Sequence, residues 1–338
     1  MTRVFRFGAG ALAELGEVAA ELGLSRLLLV ASRRGAADAG SLPVVGVYDG
    51  VRPHVPVESV HEAAARAREV GADGLVGLGG GSAIDTCKAV VAELAPERLL
   101  RTIAVPTTYA GAEWTSFFGM LLGPGRKGGG SNEHSKPVAA IYDPELTLGL
   151  PVPETVGTAM NALAHCAEAY YAAGRNEDGD RHADTGATAI GYALPLVAAD
   201  PGSMYARSRL LEGAVRAALA LEAAGLALGH AMAQALGGRY GLPQGAMNAV
   251  CLPAALRFNA EVAPAAVARF GEALGTDDPP GRVEELARLG GFERLRDFGV
   301  PEDELPDVAE QVIARAGAKA NPRAAGAEEV AELLRSIW

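Results

Sequence analysis

The stretch GLVGLGGGSAIDTCKAVVAEL, residues 74–94, decides the fold of this 338-residue chain. Its opening residues form a short aliphatic run without polar alternation, the pattern of a parallel strand buried on both faces. Gly79-Gly80-Gly81-Ser82 then breaks the run, and residues 83–94 continue with apolar side chains at helical spacing. Glycines at such a junction let the backbone approach a ligand closely, and the following helix offers unpaired N–H groups and a partial positive charge. That combination suits a pyrophosphate. The competing reading is a tight turn with no ligand. Asp85 and Lys88, three residues apart on the helix, read by themselves as a surface ion pair worth a few tenths of a kcal/mol.

The same grammar extends outward. RLLLVAS (26–32), VVGVYD (44–49), TIAVPTT (102–108) and VAAIYD (138–143) are short aliphatic runs, and residues 10–22 and 58–70 have helical spacing. Strands alternating with helices predict a doubly wound, parallel α/β domain over residues 1–150. The glycine-rich segment 119–135 reads as a hairpin or loop before the last strand. From residue 153 the strand signals stop. Alanine-rich stretches at 154–173, 184–198, 205–222, 225–236, 245–260, 303–317 and 326–336 predict an all-helical domain over residues 151–338.

Composition narrows the function classes. With 30 Lys plus Arg against 41 Asp plus Glu, the net charge is −11, which argues against nucleic acid or an anionic membrane as partner. No apolar run reaches the ~18 residues of a membrane span, and residues 1–10 lack the apolar core of a signal peptide. Three cysteines, Cys87, Cys166 and Cys251, are too few and too widely spaced for a disulfide framework or a thiolate zinc site. A cytoplasmic, globular protein acting on a small molecule is expected.

Other polar groups stand out. The loop PTTYAGAE (106–113) follows a strand and carries Thr107 and Thr108, whose hydroxyls suit the same nucleotide. No GxGxxG follows the first strand, so the ordinary dinucleotide fingerprint is absent. Ser32-Arg33-Arg34 closes the strand 26–32 without a carboxylate for ribose hydroxyls, and its guanidinium groups favour NADPH alongside NADH unless they are simply solvated. In the helical half, Asn161 and His165 are four apart and share a helix face, as do His230 and Gln234; Gln244 follows. A lone histidine is more often a hydrogen-bonded core residue than a ligand. Burying several polar groups on apolar helices is costly, so these read together as a site.

The segments GGGSAIDTCKA (79–89), PTTYAGAEWTS (106–116), IYDPELTLGLPVP (141–153), MNALAHCAEAYY (160–171) and GHAMAQALGGRYGLPQG (229–245) together resemble the group III, iron-containing alcohol dehydrogenase family. Its fold is dehydroquinate synthase-like, and the nearest branch is that of the maleylacetate reductases. The resemblance implies an NAD(P)-binding domain, a helical domain and a homodimer. It assigns Gly79, Gly80, Gly81 and Ser82 to the pyrophosphate, with Asp85 nearby. Thr107, Thr108 and Thr115 are implied on the ribose and nicotinamide side, with Lys127 approaching from the hairpin. Metal-dependent members hold Fe²⁺ or Zn²⁺ with one Asp and three His. The matching positions here are Asn161, His165, His230 and Gln244, and two neutral amides beside two imidazoles make a poor divalent site.

The leading expectation is therefore a metal-independent NAD(P)H reductase acting on an activated C=C or C=O. His165 or His230 would serve as hydrogen-bond donor or general acid, each ring oriented by the amide one turn away, Asn161 or Gln234. Lys127 and Arg239 are candidates for binding substrate carboxylates, with solvated surface charges as the plainer alternative. A lyase or cyclase of a specialised pathway, and a non-catalytic binding protein, remain as other classes.

Overall fold

The computed structural model describes residues 3–37, 42–123 and 127–338. The chain divides into two compact units, Met1–Gly149 and Leu150–Trp338. The first is built on β1 (Val4–Phe7), β2 (Leu27–Ala31), β3 (Gly46–Tyr48), β4 (Gly74–Gly79), β5 (Arg101–Pro106) and β8 (Ala139–Tyr142). These form one parallel six-stranded sheet in the order β1-β8-β5-β4-β2-β3. Helices α1 (Leu15–Glu21), α2 (Arg33–Ala37), α3 (Val57–Glu69) and α4 (Gly81–Leu94) connect the strands. All five residues of β2 are buried, as the continuous apolar run requires of a strand covered on both faces. Gly77 brings α4 close to β4: a Cβ there would lie 3.1 Å from Cys87 Sγ and 3.4 Å from Ile84 Cα.

Residues 119–135 do contain a hairpin, which begins slightly earlier than the glycines: β6 (Phe117–Leu121) pairs antiparallel with β7 (Lys127–Ser131). Strand β1 has no counterpart in the sequence reading. Four residues, VFRF, carry too little pattern to be recognised, and pairing with β8 makes them a strand.

The second unit is all-helical: α5 (Val152–Ala169), α6 (Glu177–Ala199), α7 (Met204–Ala224), α8 (Leu228–Tyr240), α9 (Gln244–Ala260), α10 (Pro264–Leu274), α11 (Pro279–Arg288), α12 (Leu305–Ile313), α13 (Ala316–Lys319) and α14 (Ala327–Ser336). Helices α10 and α11 fall in a stretch the sequence reading left unassigned. Helix α6 begins seven residues before the expected 184, where the Asn176 side chain caps it by accepting from Gly179 N. Helix α5 is buried on all sides through most of its length, the sign of a central helix. It meets the start of α9 at two glycines, since a Cβ on Gly245 would fall 2.4 Å from the carbonyl of Gly157. All three cysteines are unpaired and buried. No helix among the described residues is long and apolar enough to cross a membrane.

Candidate active site

In the α/β unit the glycine turn follows from the strand–helix junction. Gly79 has φ +149°, a conformation that disfavours any side chain, and a Cβ there would sit 2.9 Å from Ala83 Cβ. Gly80 has φ −78° and caps α4 without side-chain help, so the conformational demand falls on Gly79. The need for glycine at Gly80 is spatial, whereas at Gly81 the protein itself leaves room for a Cβ. A Cβ on Gly80 would press on Thr108 (3.0 Å to Cγ2, 3.2 Å to Oγ1), and one on Gly81 would lie 3.7 Å and 3.9 Å from the Ala110 and Ala112 Cβ atoms. Thr107 N donates to Gly79 O (3.0 Å), bringing the two loops edge to edge. Gly79, Gly80, Gly81, Ser82, Thr107 and Thr108 thus border one small-residue cradle above an α-helix N-terminus. Ala83 N and Ile84 N turn back to Gly80 O (3.0 and 3.4 Å), which leaves the N–H groups of Gly81 and Ser82 at the head of α4 without a partner within the helix. These residues fit a pyrophosphate.

One expected neighbour lies elsewhere. Thr115 is 2% exposed; its hydroxyl takes a hydrogen bond from Lys88 Nζ (2.9 Å) and faces the Ala112 and Phe117 carbonyls (3.3 Å each). It supports the loop from beneath and is not a lining residue. Lys127 opens β7, and its side chain falls outside the described residues. Lys88 is no surface residue either: it is fully buried and donates to Asp85 Oδ1 (3.1 Å), Thr115 Oγ1 and Phe117 O (2.9 Å). Arg33 is exposed, while exposed Arg34 donates to the Gly149 carbonyl (2.9 Å).

In the helical unit, Asn161, His165 and Glu168 line one face of α5 at i, i+4 and i+7. His165 and His230 are each 3% exposed and stack in parallel, with ring centroids 4.8 Å apart and planes inclined by 11°. Asn161 Nδ2 faces His165 Nε2 (3.3 Å), as its spacing implied. Asn161 Oδ1 accepts from Asn248, one turn after Gln244 on α9. Gln244 is half-buried at the first position of that helix.

His230 is held differently from the expectation. Its Nδ1 donates to Glu168 Oε2 (2.7 Å), so the orienting group is a carboxylate on another helix and not Gln234. Fully buried Glu168 also accepts from Ala227 N (2.7 Å) and His230 N (2.9 Å), capping α8, which has no side-chain cap of its own. Gly229 leaves room for it, since a Cβ there would lie 3.0 Å from Glu168 Oε1. The spacing from Asn161 through His165 to Glu168 was visible in the sequence; the approach of α8 was not. Among the described residues, His230 Nε2 and His165 Nδ1 are buried and bond to nothing.

The electrostatics separate the two rings. Burial, and then the neighbouring His230, holds His165 well below the ordinary imidazole range, so it stays neutral at pH 7. His230 differs in having a carboxylate behind its Nδ1. Arg239, a candidate for substrate carboxylates, is instead committed to Glu304 (2.6 Å) and Asp307 (3.2 Å).

The donor set does not fit a divalent metal. Among the described residues no three His, Cys, Asp or Glu side chains are grouped to hold one. The one oxygen Asn161 has to offer a cation already accepts from Asn248, and its amide nitrogen faces the His165 nitrogen that would be needed.

A parallel nucleotide-type sheet followed by a helical unit with a buried polar constellation on α5, α8 and α9 defines a class. The Iron-containing alcohol dehydrogenase family matches residues 2–144, and the C-terminal domain of the Fe-containing alcohol dehydrogenase family matches residues 155–338. The chain belongs to this family of oxidoreductases. Within it, the chain is 36% identical to maleylacetate reductase of Burkholderia cepacia over 91% of its own length and 88% of that protein's. It is 38% identical to maleylacetate reductase 2 of Cupriavidus pinatubonensis over 98% and 93% of the two chains. The crystal structure of maleylacetate reductase from Agrobacterium tumefaciens superposes with a TM-score of 0.90 at 33% identity, covering 99% of this chain and 96% of that one.

Proposed function

We propose that this protein is a metal-independent NAD(P)H-dependent reductase that delivers hydride to an activated C=C or C=O of a small carboxylated substrate. A 2-enoate conjugated to a ketone, the chemistry named by its maleylacetate reductase relatives, is the substrate class. One observation carries the reading: His230 has its Nδ1 proton directed at a buried carboxylate while Nε2 is buried and open.

The cofactor would be held by Gly79–Ser82 with Thr107 and Thr108, and when bound it supplies the hydride. As hydride reaches carbon, negative charge develops on the conjugated substrate oxygen. His230 meets that charge from Nε2 as hydrogen-bond donor and general acid, with the Glu168 carboxylate holding Nδ1 behind it. Neutral His165 packs against that ring, with its own Nε2 facing Asn161. Asn161 and Gln244 supply amide dipoles in place of charged ligands. NADPH is accepted alongside NADH, a reading supported by exposed Arg33 and the absence of a carboxylate at Ser32. A homodimer belongs to the same proposal, supported by the family resemblance and tested by sedimentation.

Loss of nicotinamide absorbance in step with maleylacetate consumption tests the function. No cofactor oxidation with this or related 2-enoates, using folded protein, would refute it.

A further inference from the structure

A carboxylate in the first turns of a phosphate-binding helix is a liability, because it repels the ligand that the helix N-terminus attracts. Asp85 is such a group. It follows Gly81 by four residues, which places it on the same helix face about 6 Å along the axis. Its side chain is 23% exposed, so part of it faces solvent. Its two oxygens are already engaged from the protein side, Oδ1 by Lys88 Nζ (3.1 Å) and Oδ2 by Gly119 N (3.3 Å).

Lys88 has the opposite character. Its side chain has no exposure at all, and among the described residues its ammonium donates to Asp85, the Thr115 hydroxyl and the Phe117 carbonyl. Burying an ammonium is costly, and simple packing would be met by an apolar side chain of similar length. Among the described residues the carboxylate it pairs with is Asp85, while buried Glu113 feels its charge without a bond. Lys88 also fixes β6 to α4, since Phe117 O receives Lys88 and Gly119 N, two residues along that strand, donates to Asp85.

We propose that Lys88 is a positioning residue that neutralises Asp85 beside the anion cradle, so that Asp85 serves a dinucleotide as a preoriented hydrogen-bond acceptor without repelling its phosphates. The inference rests on the assignment of the glycine turn to the cofactor pyrophosphate.

Calorimetry with NADH, ADP and adenosine tests it, since ADP carries the phosphates and adenosine does not. In Lys88→Met an unbalanced Asp85 should weaken ADP and NADH about tenfold while adenosine changes less than about threefold. Removing both charges, in Lys88→Met/Asp85→Asn, should restore ADP to within about threefold of wild type. Asp85→Asn alone, which leaves Lys88 unbalanced, should tighten ADP about two- to fivefold. Equal losses for ADP and adenosine, or no recovery in the double variant, would show that Lys88 merely fills space. If Lys88→Met does not fold, Asp85→Asn decides: tighter ADP supports the counter-charge, and unchanged or weaker ADP overturns it. Wild-type protein that binds neither NADH nor ADP would instead remove the cofactor assignment, and this inference with it.

Discussion

The glycine cradle of the α/β unit and the histidine pair of the helical unit are built by opposite means. The cradle is mostly local: strand, turn and helix occupy the continuous stretch 74–94, joined by the neighbouring loop at Thr107 and Thr108, and glycine is demanded by backbone conformation at Gly79 and by space at Gly80. The histidine pair is assembled from afar. His230 takes its orientation from Glu168, 62 residues away, and Asn161 takes a bond from Asn248, 87 residues away. A local site is defined by what its residues lack, a distant one by whom its residues meet. The first should therefore fail through bulk and the second through lost partners.

The largest effect is expected where a partner is lost. His230→Ala should reduce kcat by about 10²–10⁴-fold, the range for removing a general acid, with cofactor affinity nearly unchanged. Glu168→Gln, which keeps the shape and removes the charge, should lose at least about tenfold in kcat and also destabilise α8. Near wild-type turnover in both would break the distinction between the sites.

Bulk comes next. Gly81→Val should fold, because its Cβ meets nothing closer than 3.7 Å in the protein, yet lose most dinucleotide affinity by filling the space for phosphate. Equal affinity in the folded variant would remove the cradle. Gly79→Ala should instead lose stability, since there the backbone conformation itself is at stake.

A third test uses the buried ring. His165 is held below the ordinary imidazole value of 6.5, so at lower pH the unfolded chain binds a proton that the folded chain refuses. The sign is therefore acid destabilisation: His165 contributes no penalty well above pH 6.5, and stability falls by up to about 1.4 kcal/mol per pH unit below it. Denaturant titrations between pH 5 and 8 should show this slope, and it should flatten in His165→Asn. An equal slope in both proteins would mean that the ring is not buried neutral. The smallest effect concerns cofactor choice: Arg33→Ala should lower kcat/KM for NADPH several-fold and leave NADH unchanged. A strong NADH preference in wild type would refute that role.

The same contrast explains what the sequence disclosed. Buried parallel strands such as β2 and β4 announce themselves by continuous apolar runs, and the glycine turn by its place between strand and helix. Strand β1 exists because β8 lies beside it, and VFRF carries no such mark. Lys88 looked like one half of a surface pair because nothing in AIDTCKA shows that β6 and Thr115 will close over it. Glu168 was missed, although its spacing puts it on the Asn161–His165 face, because its claim on His230 depends on the packing of α8 against α5. Arg239 was a plausible anion binder until Glu304 and Asp307 came within reach across 65 and 68 residues.

We propose that this oxidoreductase works through a carboxylate-backed histidine, although its family is named for iron. Steady-state turnover of NAD(P)H with maleylacetate, measured on protein depleted of metal by a strong chelator and again after addition of Fe²⁺ or Zn²⁺, tests it most directly. The account predicts the same kcat before and after depletion and no gain on adding either metal. Loss of turnover on depletion, restored by stoichiometric metal, would contradict it.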